Sequence, residues 1–442
     1  MKFLRGLFIV LLALVVTIVP MSPAWAFCGF YVGKADSKLY NKASQVAIAR
    51  SGNRTVLTMA NDYQGDAKDF ALVVPVPVLL KENQVKVGDP KIMQRLDDFS
   101  APRLVEYFDE NPCNQNVYEK MPIPASSAPS ASSGNTRRRD SSLGVTIEAK
   151  FTVGEYDILI LSAKESGGLE TWLTQNGYRI PAGAKQLLQP YIRQKMKFFV
   201  AKVNLKELAK SDYKSLRPLM MAYESPKFML PIRLGMVNAQ SEQDLIVYIL
   251  SPRGQVEVAN YRTVKIPSDA EVPLYIKGEF SNFYKSMFKT SYNREGRKVA
   301  FLEYAWDMSS CDPCSAEPLN PEELKKAGVF WLNQPNSNPY GNGVFITRLH
   351  VRYTRDKFPE DLVFQETANR QQFQGRYVLR HPYTGDASCR EARDYRNSLP
   401  QKVEKQSQTL ARLTGWNIQD IRKKSFVNLP QSEPWWRRIF PF

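Results

Sequence analysis

The chain has 442 residues, with 60 Lys and Arg against 44 Asp and Glu (formal net charge +16), two His and five Cys, and an otherwise ordinary globular composition. That length supports two or three domain-sized units or one large composite fold, and it excludes a small scaffold that needs disulfides in place of a core. Half of the excess charge remaining beyond residue 26 lies in residues 376–442, which hold 13 Lys/Arg and 6 Asp/Glu.

Lys2 and Arg5 precede an uncharged apolar run over residues 6–19, Pro20 and Pro23 break it, and Ala24-Trp25-Ala26 supplies a small-x-small cleavage site. This pattern reads as a secretory signal over residues 1–26 with a mature start at Phe27; an uncleaved anchor is the alternative. Phe27 occupies the place where a lipoprotein signal needs a small residue, so lipid attachment at Cys28 is excluded. The best later apolar stretch, 71–80, is short and carries Pro75 and Pro77, so it does not span a bilayer as a helix.

Residues 45–60 alternate about Ser51-Gly52-Asn53, which predicts a hairpin within a β-rich segment over 27–120. Residues 70–78 are β-branched and apolar, and their prolines predict a sheet edge or polyproline conformation. Asp89-Pro90 opens a helix expected to run to about Arg95. Residues 121–142 are rich in Ser, Pro, Ala and Gly with no apolar face, and read as a linker or loop whose tip is Arg137-Arg138-Arg139.

The α+β body is assigned to 143–395. Strands are expected over 156–161, 197–203, 228–234 and 245–250, and helices over 169–176 and 184–194. Ser251-Pro252-Arg253-Gly254 reads as the turn of a second hairpin, with the return strand beginning at Gln255. Asn320-Pro321-Glu322-Glu323 starts a short helix that stops at Gly328. After a turn-rich stretch over 333–343, residues 344–353 alternate as a half-buried strand. A basic tail over 396–442 holds a helix from Gln401 to Leu413, capped by Gly415, and a second helix opening at Asn417. Strands and short helices without a βαβ rhythm give an α+β fold with substantial antiparallel sheet, stabilised by disulfides.

Cys311-Asp312-Pro313-Cys314 is the sharpest motif. Two thiols at this spacing can close a structural disulfide, act in thiol exchange or supply half of a zinc site. The structural reading is preferred: a second closely spaced ligand pair is missing, and the next expected helix begins only at Pro321, away from the thiols. His350, in mid-strand, reads as structural, and His381, placed in a loop after a strand, is the better of two weak acid-base candidates. Asp97-Asp98, Glu322-Glu323 and Glu360-Asp361 read as solvated faces or helix starts. Phosphate-loop, dinucleotide, metalloprotease and nucleophile-elbow motifs are absent, so no cofactor or metal is expected and the balance leans away from an enzyme.

Trp435, Trp436, Arg437 and Arg438 can rest on an anionic membrane interface or pack on the protein's own body. The basic balance of an exported chain points to anionic envelope polymers or lipid head groups as partners, and no nucleic acid is expected.

Phe27-Cys28-Gly29-Phe30, Met59-Ala60-Asn61-Asp62-Tyr63-Gln64-Gly65, Tyr223-Glu224-Ser225-Pro226, Tyr304-Ala305-Trp306-Asp307 with the Cys311/Cys314 motif, and Gln374-Gly375-Arg376-Tyr377 together resemble an uncharacterised family of exported bacterial proteins, domain of unknown function 2330. The resemblance implies an envelope or secreted location and carries no assigned reaction, ligand or catalytic residue.

The expectation is therefore an exported binding or structural component, periplasmic, membrane-peripheral or secreted. Its rivals are a thiol-disulfide enzyme using Cys311/Cys314 with His381, and a peripheral membrane protein held by its C-terminus. Cys28 is expected to pair with Cys113, since both bound the first segment, and one bridge is expected among Cys311, Cys314 and Cys389.

Overall fold

The computed structural model describes residues 30–33, 40–41, 44–60, 63–64, 70–114, 145–176, 184–210, 216–236, 242–312, 314, 316–332 and 343–426. Residues 1–26 read as a signal, Cys28, the 121–142 stretch, the expected Gly177 cap and the Trp435–Arg438 aromatic-basic cluster lie outside the described residues. Eight helices are described: α1 (Pro90–Ser100), α2 (Ser166–Gln175), α3 (Ala184–Arg193), α4 (Leu205–Lys210), α5 (Ile276–Arg294), α6 (Pro321–Lys326), α7 (Arg390–Thr414) and α8 (Ile418–Ser425). None of them is long and apolar enough to cross a membrane.

The fold is α+β, built on two sheets. The first is antiparallel, in the order Phe30–Gly33, Phe70–Val76, Lys197–Val203, Tyr156–Ala163, Val145–Val153. The second runs Arg262–Lys265, Val299–Asp307, Phe345–Tyr353, Gln243–Ser251, Ser44–Ser51, Arg54–Ala60, Leu219–Glu224, Val85–Val87, with Phe373–Gln374 added beside Val299–Asp307. Strands from either side of the 121–142 stretch share both sheets, because alternating apolar faces at 44–60 and 70–76 find their partners beyond residue 143.

Four layers result. Val46, Ile48, Val247 and Leu349 of the larger sheet pack on Leu72, Val74, Ile158 and Phe199 of the smaller one. The other face of the smaller sheet buries Ala71, Val73 and Phe198 under Leu169 and Leu173 of α2 and Leu188 and Tyr191 of α3. The other face of the larger sheet is covered in two patches, by Ile92, Met93, Leu96 and Phe99 of α1 and by Phe283, Met287 and Phe288 of α5. Each such fully buried side chain stabilises the fold by about 1.5–3 kcal/mol. Behind α5, Leu410 and Leu413 of α7 and Ile421 of α8 complete the fourth layer.

Local chemistry sets several elements as the residues require. Ser51 pairs with Arg54 across Gly52-Asn53, with Gly52 at φ +57°, which closes the first hairpin. The Asp89 side chain accepts the Lys91 N–H at 2.9 Å, and Pro90 needs no donor at the first turn. Asn320 and Glu323 form a reciprocal capping box on α6. Gly415 terminates α7 at φ +74°.

Other expectations are corrected. Residues 70–76 form an interior strand: both Phe30–Gly33 and Lys197–Val203 pair with it, and Pro75 is tolerated because it lies beyond Val73, the last residue paired with the 30–33 strand. Helix α1 continues to Ser100, well past Arg95, because Leu96 and Phe99 extend its apolar face. In the expected 228–234 strand only Met229–Leu230 is extended, and Arg233–Met236 is a 3₁₀ turn. Val256–Val258 does not return along Gln243–Ser251 as a hairpin; it pairs with Leu362–Glu366, after Gly254 passes so close to Asn369 that a Cβ would lie 2.4 Å from its carbonyl oxygen. The helix expected at 401–413 begins at Arg390, with Pro400 inside it. Phe345–Tyr353 is buried on both faces, since α1 and α5 cover the side that its basic residues occupy.

Candidate functional site

Strand Val299–Asp307 carries Glu303 in the middle of an otherwise apolar run that ends at Asp307. The register shifts there, so that Leu302 opposes Leu349 while Tyr304 opposes Arg348, and Glu303 is the extra residue of a β-bulge. Its carbonyl accepts the Gly375 N–H at 2.7 Å. Its side chain accepts His350 Nδ1–H at 2.7 Å, Arg348 Nε–H at 2.6 Å and the Tyr284 hydroxyl of α5.

His350 and Arg348 project from alternate positions of the neighbouring strand, as does Arg352. The other ring nitrogen of His350 lies 3.0 Å from Asp244 Oδ1, and Arg352 grips both oxygens of Asp244 at 2.8 and 2.7 Å. Arg348 Nη1 reaches Asp97 of α1 at 2.6 Å, and the Tyr248 hydroxyl donates to the same oxygen at 2.7 Å. Phe288 of α5 stacks on the imidazole with centroids 3.9 Å apart.

Burial by itself would raise the Glu303 carboxyl, but the charges of His350 and Arg348, with bonds from His350 and Tyr284, hold it down at about 2. Burial works against the charged imidazole as well, yet Glu303 and Asp244 overcome it and raise the His350 pKa. Desolvation opposes the Asp244 charge, and His350 and Arg352 nevertheless keep it well below the usual carboxylate range. The histidine therefore donates from both nitrogens, and three cations (Arg348, Arg352, His350) balance three carboxylates (Asp97, Asp244, Glu303). With both ring nitrogens engaged, His350 has none to offer a substrate. The cluster joins α1, α5 and three strands and is a clamp of the fold.

The open concavity lies elsewhere. A hollow of about 380 Å³ is lined by Ser268, Asp269, Glu271, Lys402, Lys405 and Arg412 among others. Positions 402, 405, 409 and 412 recur on one face of α7, which aligns the three cations along it. The carboxylates opposite are already paired, Asp269 with Arg376 at 2.6 Å and Glu271 with Arg380 at 2.7 Å. Lys402 lies 3.4 Å from Asp109, whereas Lys405 and Arg412 have no carboxylate within ion-pair distance among the described residues. An adjoining pocket of about 40 Å³ shares Lys402 and Gln406 and has an apolar wall of Leu274, Tyr275, Leu399 and Val403.

The four described cysteines form two bridges. Cys311 is bonded to Cys314, as one of the expected options. Cys113 is bonded to Cys389, which corrects the expected Cys28–Cys113 pair: strand Arg103–Phe108 runs parallel to Arg376–His381, so the chain segments that follow these two strands leave the sheet at the same end. Cys311 is half-buried against an apolar cluster that includes Met308, Leu319 and Trp331, and Cys314 is exposed. The nearest following helix, α6, spends its N-terminal donors on Asn320, and neither cysteine caps a helix among the described residues.

His381 is the last residue of its strand and does not sit in a loop. Its Nε2 lies 2.8 Å from Glu106, which also pairs with Lys277 at 2.7 Å, and its ring stacks on Phe108 at 4.4 Å. Among the described residues it shares no hydrogen-bond or ion-pair partner with Cys311 or Cys314. Asp361 is likewise not solvated: it is buried and accepts the Tyr191 hydroxyl at 2.6 Å and the Ile232 N–H at 2.9 Å, while Asp97 is half-buried in its pairing with Arg348. A lone glutamate in an apolar strand and three bases on one face of another were the signals for the buried cluster, because each demands the other once both faces are covered.

Residues 22–365 match a family described as an uncharacterized protein conserved in bacteria, domain of unknown function 2330. No curated protein and no solved structure matches the chain. The matched stretch contains the buried charge clamp, whereas α7, with Lys402, Lys405 and Arg412, follows it.

Proposed function

The chain belongs to this family of uncharacterized bacterial proteins, and from that premise we propose that it is an exported envelope component that binds an anionic ligand without transforming it. The observation that carries the reading is the hollow at α7, where Lys405 and Arg412 stand without carboxylate partners among the described residues beside Lys402. Export is supported by the pattern of residues 1–26 and by two bridges of a kind that persists in oxidising compartments. A non-catalytic role is supported by the enclosure of the Glu303, His350 and Asp244 cluster, since a catalyst must reach its substrate.

The test is binding of the processed protein to a glycerol-phosphate polymer as a function of salt. Lys405→Glu with Arg412→Glu is expected to weaken binding at least about tenfold and to flatten its salt dependence. Unchanged binding by this double variant would remove the hollow as the site. Retention of the expressed full chain in the cytoplasm with residues 1–26 intact would remove the envelope assignment.

Anionic lipid head groups are the second reading, favoured by Trp435, Trp436, Arg437 and Arg438. Truncation after Leu429 is then expected to release the protein from anionic vesicles.

A further inference from the structure

We infer that the Cys113–Cys389 bridge is a thiol-exchange site, opened by a dithiol through attack on the Cys113 sulfur. The bridge fixes α7 to residue 113, across 276 positions of sequence, and so ties a helix that follows the family-matched stretch to a residue within it.

The two sulfurs are unequal. Cys389 is the N-cap of a 25-residue helix, and its Sγ accepts the Ala392 N–H at 3.4 Å. Unpaired N–H groups and aligned peptide dipoles make that position favourable for a thiolate. Cys113 is exposed on a turn held by Asn111, whose side chain accepts the Cys113 N–H at 3.0 Å, and its sulfur accepts no backbone N–H among the described residues. The charged residues on the two segments are Asp386 before Cys389, Arg390, Glu391, Arg393 and Asp394 on the helix, and Asp109 and Glu110 before the turn, and the side chain of Arg396 is tied to the Ala387 carbonyl at 2.9 Å. Exchange is fastest when the attacked sulfur is accessible and the departing one is the better thiolate, and here the two requirements fall on different partners of one bond. The Cys311–Cys314 bridge exposes Cys314, but neither of its cysteines caps a helix among the described residues.

In the exchange, one thiolate of the dithiol attacks Sγ of Cys113, the S–S bond breaks, and its electron pair leaves on Sγ of Cys389. The second thiolate of the dithiol then attacks the mixed disulfide and releases Cys113. The bridge gains two electrons and the two protons given up by the dithiol, which becomes a disulfide. The inference does not depend on the anionic ligand, although α7 carries the hollow that would bind it.

The experiment uses the native, oxidised full-length protein with any free thiol first blocked by alkylation. It is treated briefly with a monothiol at pH 7, quenched with acid, alkylated with a second label and digested for mass spectrometry, while circular dichroism follows the fold. The expected result is the mixed disulfide on Cys113 and the label on Cys389, in at least about tenfold excess over the reverse arrangement, with the spectrum unchanged. A dithiol should then reduce the bridge completely in the folded protein. Adducts divided evenly between the two sulfurs or favouring Cys389, or a bridge that yields only in denaturant, would overturn the inference. Binding of the glycerol-phosphate polymer, measured separately, reports on the hollow and not on the exchange.

Discussion

Nδ1 of His350 lies 2.7 Å from Oε1 of Glu303, and a β-bulge at Glu303 brings the next residue, Tyr304, to the same face of the sheet. Without the extra residue the alternation of the strand would place Glu303 and Tyr304 on opposite faces.

Glu303→Gln keeps the shape and removes the central negative charge. Arg348 and a protonated His350 are then buried short of a counter-charge, and the expected loss is about 3–5 kcal/mol. Denaturant unfolding with an unchanged slope would measure it, and a loss below about 1 kcal/mol would contradict the clamp.

The same cluster sets a pH window. The His350 pKa is raised above 6.5, so its stabilisation is complete below that pH and declines as pH rises through the elevated value. Glu303 is held down at about 2 from 4.5, so its stabilisation is present above pH 4.5 and is lost as pH falls toward 2. Thermal unfolding followed across pH should show a maximum between these limits. His350→Gln should flatten the alkaline limb, and an alkaline limb identical to that of the parent protein would assign the decline to other groups.

Removing the long bridge with Cys113→Ser and Cys389→Ser should cost about 2–5 kcal/mol, whereas Cys311→Ser with Cys314→Ser, which opens a ring of few residues, should cost about 2 kcal/mol or less. Equal losses in guanidinium unfolding would show that loop length does not govern the difference.

Gly328 follows α6 at φ +97°, and a Cβ there would sit 2.6 Å from Val56 Cγ1. Gly328→Ala therefore combines a left-handed backbone with an overpacked contact and should destabilise by about 1–3 kcal/mol. Adding Val56→Ala should recover the steric portion, and no recovery would place the whole cost in the backbone.

Elements whose geometry is decided within a few residues follow directly from the amino-acid sequence. The Gly52-Asn53 turn, the Asp89 and Asn320 caps, the left-handed Gly415 and the alternation of 345–353 depend on side chains one to four positions away, so the chain itself specifies them. What lies on the far side of a strand depends on partners hundreds of residues distant. Only the tertiary structure decided that Val256–Val258 pairs with Leu362–Glu366, that Cys113 meets Cys389, and that the basic face of 345–353 is roofed by α1 and α5. The same alternating pattern fits a strand facing water and a strand whose charges are paired beneath helices. The choice between them comes from the apolar area of α1 and α5 that must be buried, together with the carboxylates of Asp97, Asp244 and Glu303 that make burial of three cations tolerable.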